Sequence, residues 1–320
     1  MKITLILAAA LLMAVSCGGQ RKNASGAGSD GALTADSVTI YRPPQPPAMM
    51  TDPAAQLQWA TEHYFDDFQF ADTTAVPRWG DYAEQAFVDV NYALAQSNVP
   101  FEVASATFTN LFRKAAVNKA AFMKFAEVAE KYLFDPNYPM RNEELYIVVL
   151  RAVLDNQGLD EWERVRPREQ LRLALKNRVG DLATDFRYTL DSGASGTLSG
   201  IGAPYTLIFF NNPGCPACRQ TIDRIMASPF LSGMIEKGNL AVLALYTDAD
   251  LDAWREYNPQ MPQHWILAYD AGEKIKNEEL YDIKAIPTMY LLDAGKRVVL
   301  KDEMSVPRIE QTLAAATTAQ

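Results

Sequence analysis

An almost wholly apolar run, Tyr205-Thr206-Leu207-Ile208-Phe209-Phe210, ends in the polar turn Asn211-Asn212-Pro213-Gly214, and Cys215-Pro216-Ala217-Cys218 follows directly before a helix-forming stretch from Arg219 to Met226. Buried strand, loop, cysteine pair, helix is an order with few structural solutions. A run that apolar needs cover on both faces, as in the centre of an α/β sheet. The two cysteines can close a small disulfide if the loop enters a helix at the first sulfur. The unpaired N–H groups and the positive end of that helix then favour negative charge on Cys215, which makes it the candidate nucleophile. Cys218, one turn into the helix, is expected to be less exposed and to resolve a mixed disulfide.

The rest of the C-terminal part agrees with this layering. Arg187 to Leu190 and the turn Ser192 to Gly196 suggest a hairpin; Leu240 to Tyr246 is a second buried strand, Asp248 to Tyr257 a helix and Trp265 to Ala268 a short strand. Glu273 to Leu280 has helical spacing, Ile286 to Leu292 is a strand opened by a proline, Arg297 to Lys301 its hairpin partner, and Val306 to Ala315 an amphipathic closing helix. The expectation for 179–320 is an α/β fold, a central mixed sheet flanked by helices.

Upstream the period is helical. Asp52-Pro53 reads as a cap and first turn, with apolar residues at Leu57, Ala60, Tyr64, Phe65 and Phe68. Similar spacing recurs in Tyr82 to Leu94, Thr107 to Val117, Phe122 to Phe134, Leu145 to Leu154 and Trp162 to Leu175, so 51–178 is expected to be a separate all-α domain. Its aromatic residues, including Trp59 and Phe70, are simplest as core.

Residues 1–16 have the form of an export signal: Lys2, an apolar stretch from Ile3 to Val15, then Ser16. Ala14-Val15-Ser16-Cys17 resembles the lipobox of bacterial lipoproteins, with Ala14 where the family usually has Leu. The resemblance implies lipidation at Cys17. Of three cysteines in the chain, that leaves only Cys215 and Cys218, with no third thiol to form wrong bridges in an oxidising compartment. Residues 17–50 are rich in Gly, Ser and Pro and read as a tether, flexible at first and stiffer through Pro43-Pro44-Gln45-Pro46-Pro47. A net charge of -9 without clustered Lys or Arg argues against a nucleic-acid partner.

Pro287 stands at the mouth of a strand, where a trans proline would break pairing and a cis bond is a specific device. Gly180-Asp181-Leu182-Ala183-Thr184-Asp185-Phe186, the strand before the cysteines, Cys215 to Cys218, Ile286-Pro287-Thr288 and Leu292-Asp293-Ala294-Gly295 together resemble envelope thioredoxin-like proteins of the TlpA and ResA type. The helical region before them also resembles bacterial lipoproteins that join an uncharacterised helical domain to a thioredoxin module. The resemblance implies an α/β thioredoxin-like fold for 179–320, with a cis Pro287 beside the disulfide, Ile286 offering backbone groups to an extended substrate, and Pro216 and Ala217 also facing it. Two departures stand out. Phe209 occupies the position of the buried carboxylate of cytoplasmic thioredoxins, and Gly214 that of their tryptophan; Asp248 and Glu256 are candidate substitute acids.

The expected activity is thiol:disulfide oxidoreduction by a periplasmic, lipid-anchored enzyme. Its redox group is the Cys215–Cys218 pair, with no organic cofactor and no metal, and its partners are cysteine-containing envelope proteins and an upstream electron-transfer protein. The rival expectation is a lipid-tethered binding protein with a static Cys215–Cys218 disulfide, its helical domain holding the partner. A peroxiredoxin would need Thr where Asn212 stands. Structural zinc would need more ligands than His63 and His264 add.

Overall fold

Asp52 and Pro53 open the first helix as the sequence predicts. In the computed structural model, which describes residues 41, 43–71, 76–97 and 99–318, the Asp52 carboxylate accepts from the Ala55 N–H at 2.9 Å and Pro53 takes the first turn. The expected signal peptide, Cys17 and the tether up to residue 40 lie outside the described residues. The chain divides into two compact units, Met1–Val128 and Ala129–Gln320.

The first unit contains helices α1 (Pro53–Glu62), α2 (Val76–Gln96), α3 (Phe101–Ala115) and most of α4 (Lys119–Ala129). Phe87 packs on Phe108 with ring centroids 5.2 Å apart, and Phe112 packs edge-on to Phe122 at 5.2 Å. The helical spacing through Tyr64, Phe65 and Phe68 does not become helix. The chain leaves α1 at Glu62, and Tyr64, Phe65 and Phe70 are buried from the irregular turn that follows, with Phe65 5.7 Å from Phe125. Asp66 in that turn is tied to His63 at 2.7 Å and to Lys114 of α3 at 2.5 Å. Tyr41, within the expected tether of 17–50, meets the Phe68 ring edge-on with centroids 5.1 Å apart.

In the second unit α4 ends in a π-turn at Glu130–Phe134, followed by α5 (Glu143–Asp155) and α6 (Glu161–Ala174). Asn142 caps α5 through the Leu145 N–H at 3.2 Å, and α6 starts in a capping box between Asp160 and Glu163. Asp160→Ala is expected to cost about 1 kcal/mol, read by urea unfolding of the full chain; a change within 0.2 kcal/mol, about the limit for an idle cap, would show the box to be idle. The change of periodicity lies at Gly180, but α5 and α6 group with the sheet. Side-chain bonds tie them to it: Lys301 donates to the Ala174 carbonyl at the end of α6 at 2.7 Å, and Asn177 just past α6 donates to the Leu280 carbonyl at 2.8 Å. Periodicity marks which helix face is apolar and says nothing of the layer it meets.

The sheet contains β1 (Arg187–Leu190), β2 (Ser195–Thr197), β3 (Tyr205–Phe210), β4 (Leu240–Tyr246), β5 (Ile266–Tyr269), β6 (Thr288–Leu292) and β7 (Val298–Glu303), in the spatial order β2-β1-β5-β4-β3-β6-β7. β3 lies parallel to β4 and antiparallel to β6, which makes the sheet mixed, and the fold is thioredoxin-like. Alternation splits β3 between two cores. Leu207 and Phe209 face Ile222, Leu231 and Leu313, while Ile208 and Phe210 face Phe186, Tyr281 and Tyr290. The helices of this unit after α6 are α7 (Pro216–Ala227), α8 (Pro229–Glu236), α9 (Leu251–Tyr257), α10 (Lys274–Asn277) and α11 (Val306–Thr318). α8 was not anticipated, although Ser228-Pro229 carries its signal: the Ser228 hydroxyl accepts from the Leu231 N–H at 3.2 Å. The helix expected over Glu273 to Leu280 shrinks to α10 because Glu273 and Glu279 adopt φ of 53° and 48°, outside helical geometry.

Candidate functional site: the cysteine pair and its proline loop

β3 delivers the chain to the top of the sheet, and Gly214, at φ 71°, turns it into α7. Cys215 is the N-cap of that helix. Its Sγ accepts from the Cys218 N–H at 3.1 Å, in the place a serine or aspartate oxygen takes in other caps. Cys215 and Cys218 form a disulfide with Cα atoms 5.2 Å apart. Cys215 is half-buried, Pro216 and Ala217 are exposed, and Cys218 is fully buried. Cys215 is therefore the more accessible of the pair, and Cys218 sits behind it.

The Ile286–Pro287 peptide is cis, and the Ile286 carbonyl oxygen lies 3.9 Å from Cys215 Sγ. Pro287 is buried directly ahead of β6. The predicted residues Cys215, Cys218, Ile286 and Pro287 thus meet at one place, with Pro216 and Ala217 on its rim; Cys17 lies outside the described residues.

Phe209, six positions before Cys215, is fully buried in the same core as Cys218, edge-on to Trp265 at 6.1 Å. No carboxylate replaces it there. Asp248 accepts from Asn212 Nδ2 at 3.0 Å and pairs with Lys276 at 2.8 Å; the Lys276 bond holds its carboxyl below the ordinary range. It braces the loop before Cys215 as an anion. Glu256 is exposed on α9. Arg219 reaches the Gln260 side chain at 3.4 Å and lies 5.8 Å from the Tyr257 ring centroid.

Sequence reasoning missed a buried ionic cluster behind the proline loop. Lys284 Nζ meets Glu143 at 2.6 Å, Asp282 at 2.7 Å and Asp302 at 3.2 Å. Arg141 reaches Asp302 at 2.7 Å, Lys301 reaches Glu143 at 2.6 Å, and the Thr288 hydroxyl donates to Asp302 at 2.6 Å. Burial alone would raise the Asp302 carboxyl, but Lys284, Arg141 and the Thr288 bond hold it below its ordinary value. Burial dominates at Asp282 and raises it. Lys284, which burial would lower, is held up by Asp302, Glu143 and Asp282. The only local sign was Asp302 on the inward side of β7. Among the described residues no group of three or more His, Cys, Asp or Glu is arranged to hold a metal ion.

The family described as a domain of unknown function, DUF5106, matches residues 16–177. A thioredoxin-like protein from Bacteroides caccae has a solved structure that superposes with a TM-score of 0.83 at 41% identity, over 87% of this chain and 99% of that one. The C-terminal domain of an uncharacterized protein from Bacteroides fragilis is 47% identical over 43% of this chain and 98% of that chain, with a TM-score of 0.42. Human nucleoredoxin is 22% identical over 111 residues, which is 35% of this chain; the chain spans 25% of the human protein and 28% of its Danio rerio counterpart.

Proposed function

Because the chain belongs to the DUF5106 family and to the family of the Bacteroides caccae thioredoxin-like protein, we propose that it is a thiol:disulfide oxidoreductase of the TlpA and ResA type. In this reading it is a lipoprotein anchored to the cell envelope through Cys17, working in the periplasm on cysteine-bearing envelope proteins. The observation that carries the reading is Cys215 itself: an exposed-side sulfur seated as the N-cap of α7, with its partner sulfur buried one turn behind. Backbone N–H groups and the helix dipole stabilise negative charge at that seat.

The exchange runs in two displacements. The Cys215 thiolate attacks one sulfur of a client disulfide, an S–S bond forms between them, and the client's second sulfur leaves as a thiolate. Cys218, once deprotonated, attacks Cys215 and releases the first client sulfur as a thiolate. Two electrons have passed to the client, and Cys215–Cys218 is left as the disulfide seen here. An upstream dithiol electron-transfer protein restores the reduced pair by the same two steps, so neither metal nor organic cofactor is required. The Ile286 carbonyl, facing the leading sulfur, is where an extended client chain would pair.

Alkylation tests the seat. In the reduced protein at pH 7, iodoacetamide should label Cys215 on the order of tenfold faster than free cysteine and leave Cys218 slow. Labelling of Cys215 no faster than free cysteine would remove the basis for the enzymatic reading.

A further inference from the structure

Both arms of the Ile286–Pro287 loop are gripped by one buried carboxylate. Lys284, two positions before Ile286, pairs with Asp302, and Thr288, directly after Pro287, donates to the other oxygen of the same group. Asp302 has φ 49°, in the left-handed region that residues with side chains rarely adopt, and it lies where the β6–β7 register shifts between Met289 and Leu291. Backbone in that region persists when its surroundings over-determine it, and register shifts beside sites re-aim side chains. The far side of the grip comes from outside the sheet: Glu143 begins α5 and is bonded to Lys284 at 2.6 Å, and Arg141 just ahead of it reaches Asp302. These bonds cross 141 and 161 positions of sequence.

We propose that Glu143, acting through Lys284, and Asp302, acting through Thr288, are positioning residues that hold the Ile286 carbonyl level with the Cys215 sulfur, so that an extended peptide carrying a disulfide can dock there. The proposal rests on the thiol-exchange reading. A loop clamped from both ends by charge is ordered before the client arrives, and docking then costs less entropy. Release of the clamp is therefore expected to weaken binding of clients that use the backbone at Ile286, more than reaction with a disulfide that has no backbone to offer.

Steady-state kinetics on the full chain test this, with dithiothreitol as reductant, the uncatalysed rate subtracted, and two substrates: a disulfide peptide with extended flanks, and bis(2-hydroxyethyl) disulfide. In Glu143→Gln and in Thr288→Val the ratio of peptide KM to small-disulfide KM is expected to rise about fivefold, the scale of coupling through such networks, with the kcat ratio held. An unchanged KM ratio, or a change confined to kcat, overturns the proposal. If Glu143→Gln fails to fold, Thr288→Val decides alone, since it keeps shape and every charge and removes only the bond to Asp302. Cys215→Ser measured alongside separates the two failures: turnover that persists sinks the exchange reading, while Cys215-dependent turnover with an unchanged KM ratio sinks only the positioning role.

Discussion

Replacing Cys215 by serine should lower the dithiothreitol-driven reduction of insulin by the full chain on the order of 10³-fold or more, to the rate of the same mixture without protein. A hydroxyl is not ionised at neutral pH and cannot form the mixed disulfide, so both displacements stop. Serine is also among the preferred N-cap residues, and it can accept the Cys218 N–H that Cys215 Sγ accepts at 3.1 Å. α7 should keep its start, and the loss should belong to chemistry rather than to unfolding. Circular dichroism that matches the parent chain would establish this. Turnover persisting at the parent rate in the variant would leave the disulfide as a static brace.

The second large effect is on stability. Lys284→Met should cost about 3–5 kcal/mol, the usual loss when one member of a buried ionic group is removed and the others stay charged. Lys284 is the cation that Asp282, Asp302 and Glu143 share; Arg141 and Lys301 reach only part of what it leaves. For a unit of this size the melting temperature should fall by about 10 °C.

The sign of the pH dependence follows from the folded-state shifts. Asp302 is held below its ordinary value, so its contribution is complete above the unfolded carboxylate value of about 3.9 and is lost as pH falls through the lower folded value. Lys284 is held above its ordinary value, so its contribution is complete below about 10.4 and is lost as pH rises through the higher folded value. The gap between parent and Lys284→Met should therefore be widest between these limits, begin to narrow as pH falls below about 4, and close only once Asp302 is protonated at its lower folded value. A gap under 1 kcal/mol at pH 7, within the range of an exposed pair, would show that the cluster is solvated and weak.

Much of the site was legible because its signals are short-range. The apolar run of β3, the turn through Gly214 and the spacing of Cys215 and Cys218 together placed the leading sulfur at a helix start, where it is found. Pro287 was marked by its position at a strand mouth and lies at the start of β6 behind a cis bond. The helix expected through Phe68 and the one expected to Leu280 do not form as their spacing suggests, because local spacing cannot register the left-handed turn at Glu279 or long-range contacts such as Asp66 with Lys114 and Phe65 with Phe125.

Apart from α8, the order of the helices and strands, the buried character of β3 and β4 and the identity of the outer cysteine were determined by the sequence itself, since each depends on residues within a few positions of one another. Which layer α5 and α6 join, and which charges meet behind Pro287, were decided only in the tertiary structure. Glu143, Lys284 and Asp302 carry no mark of their pairing in the chain, because a charge in water needs no partner and acquires one only when folding takes it out of water.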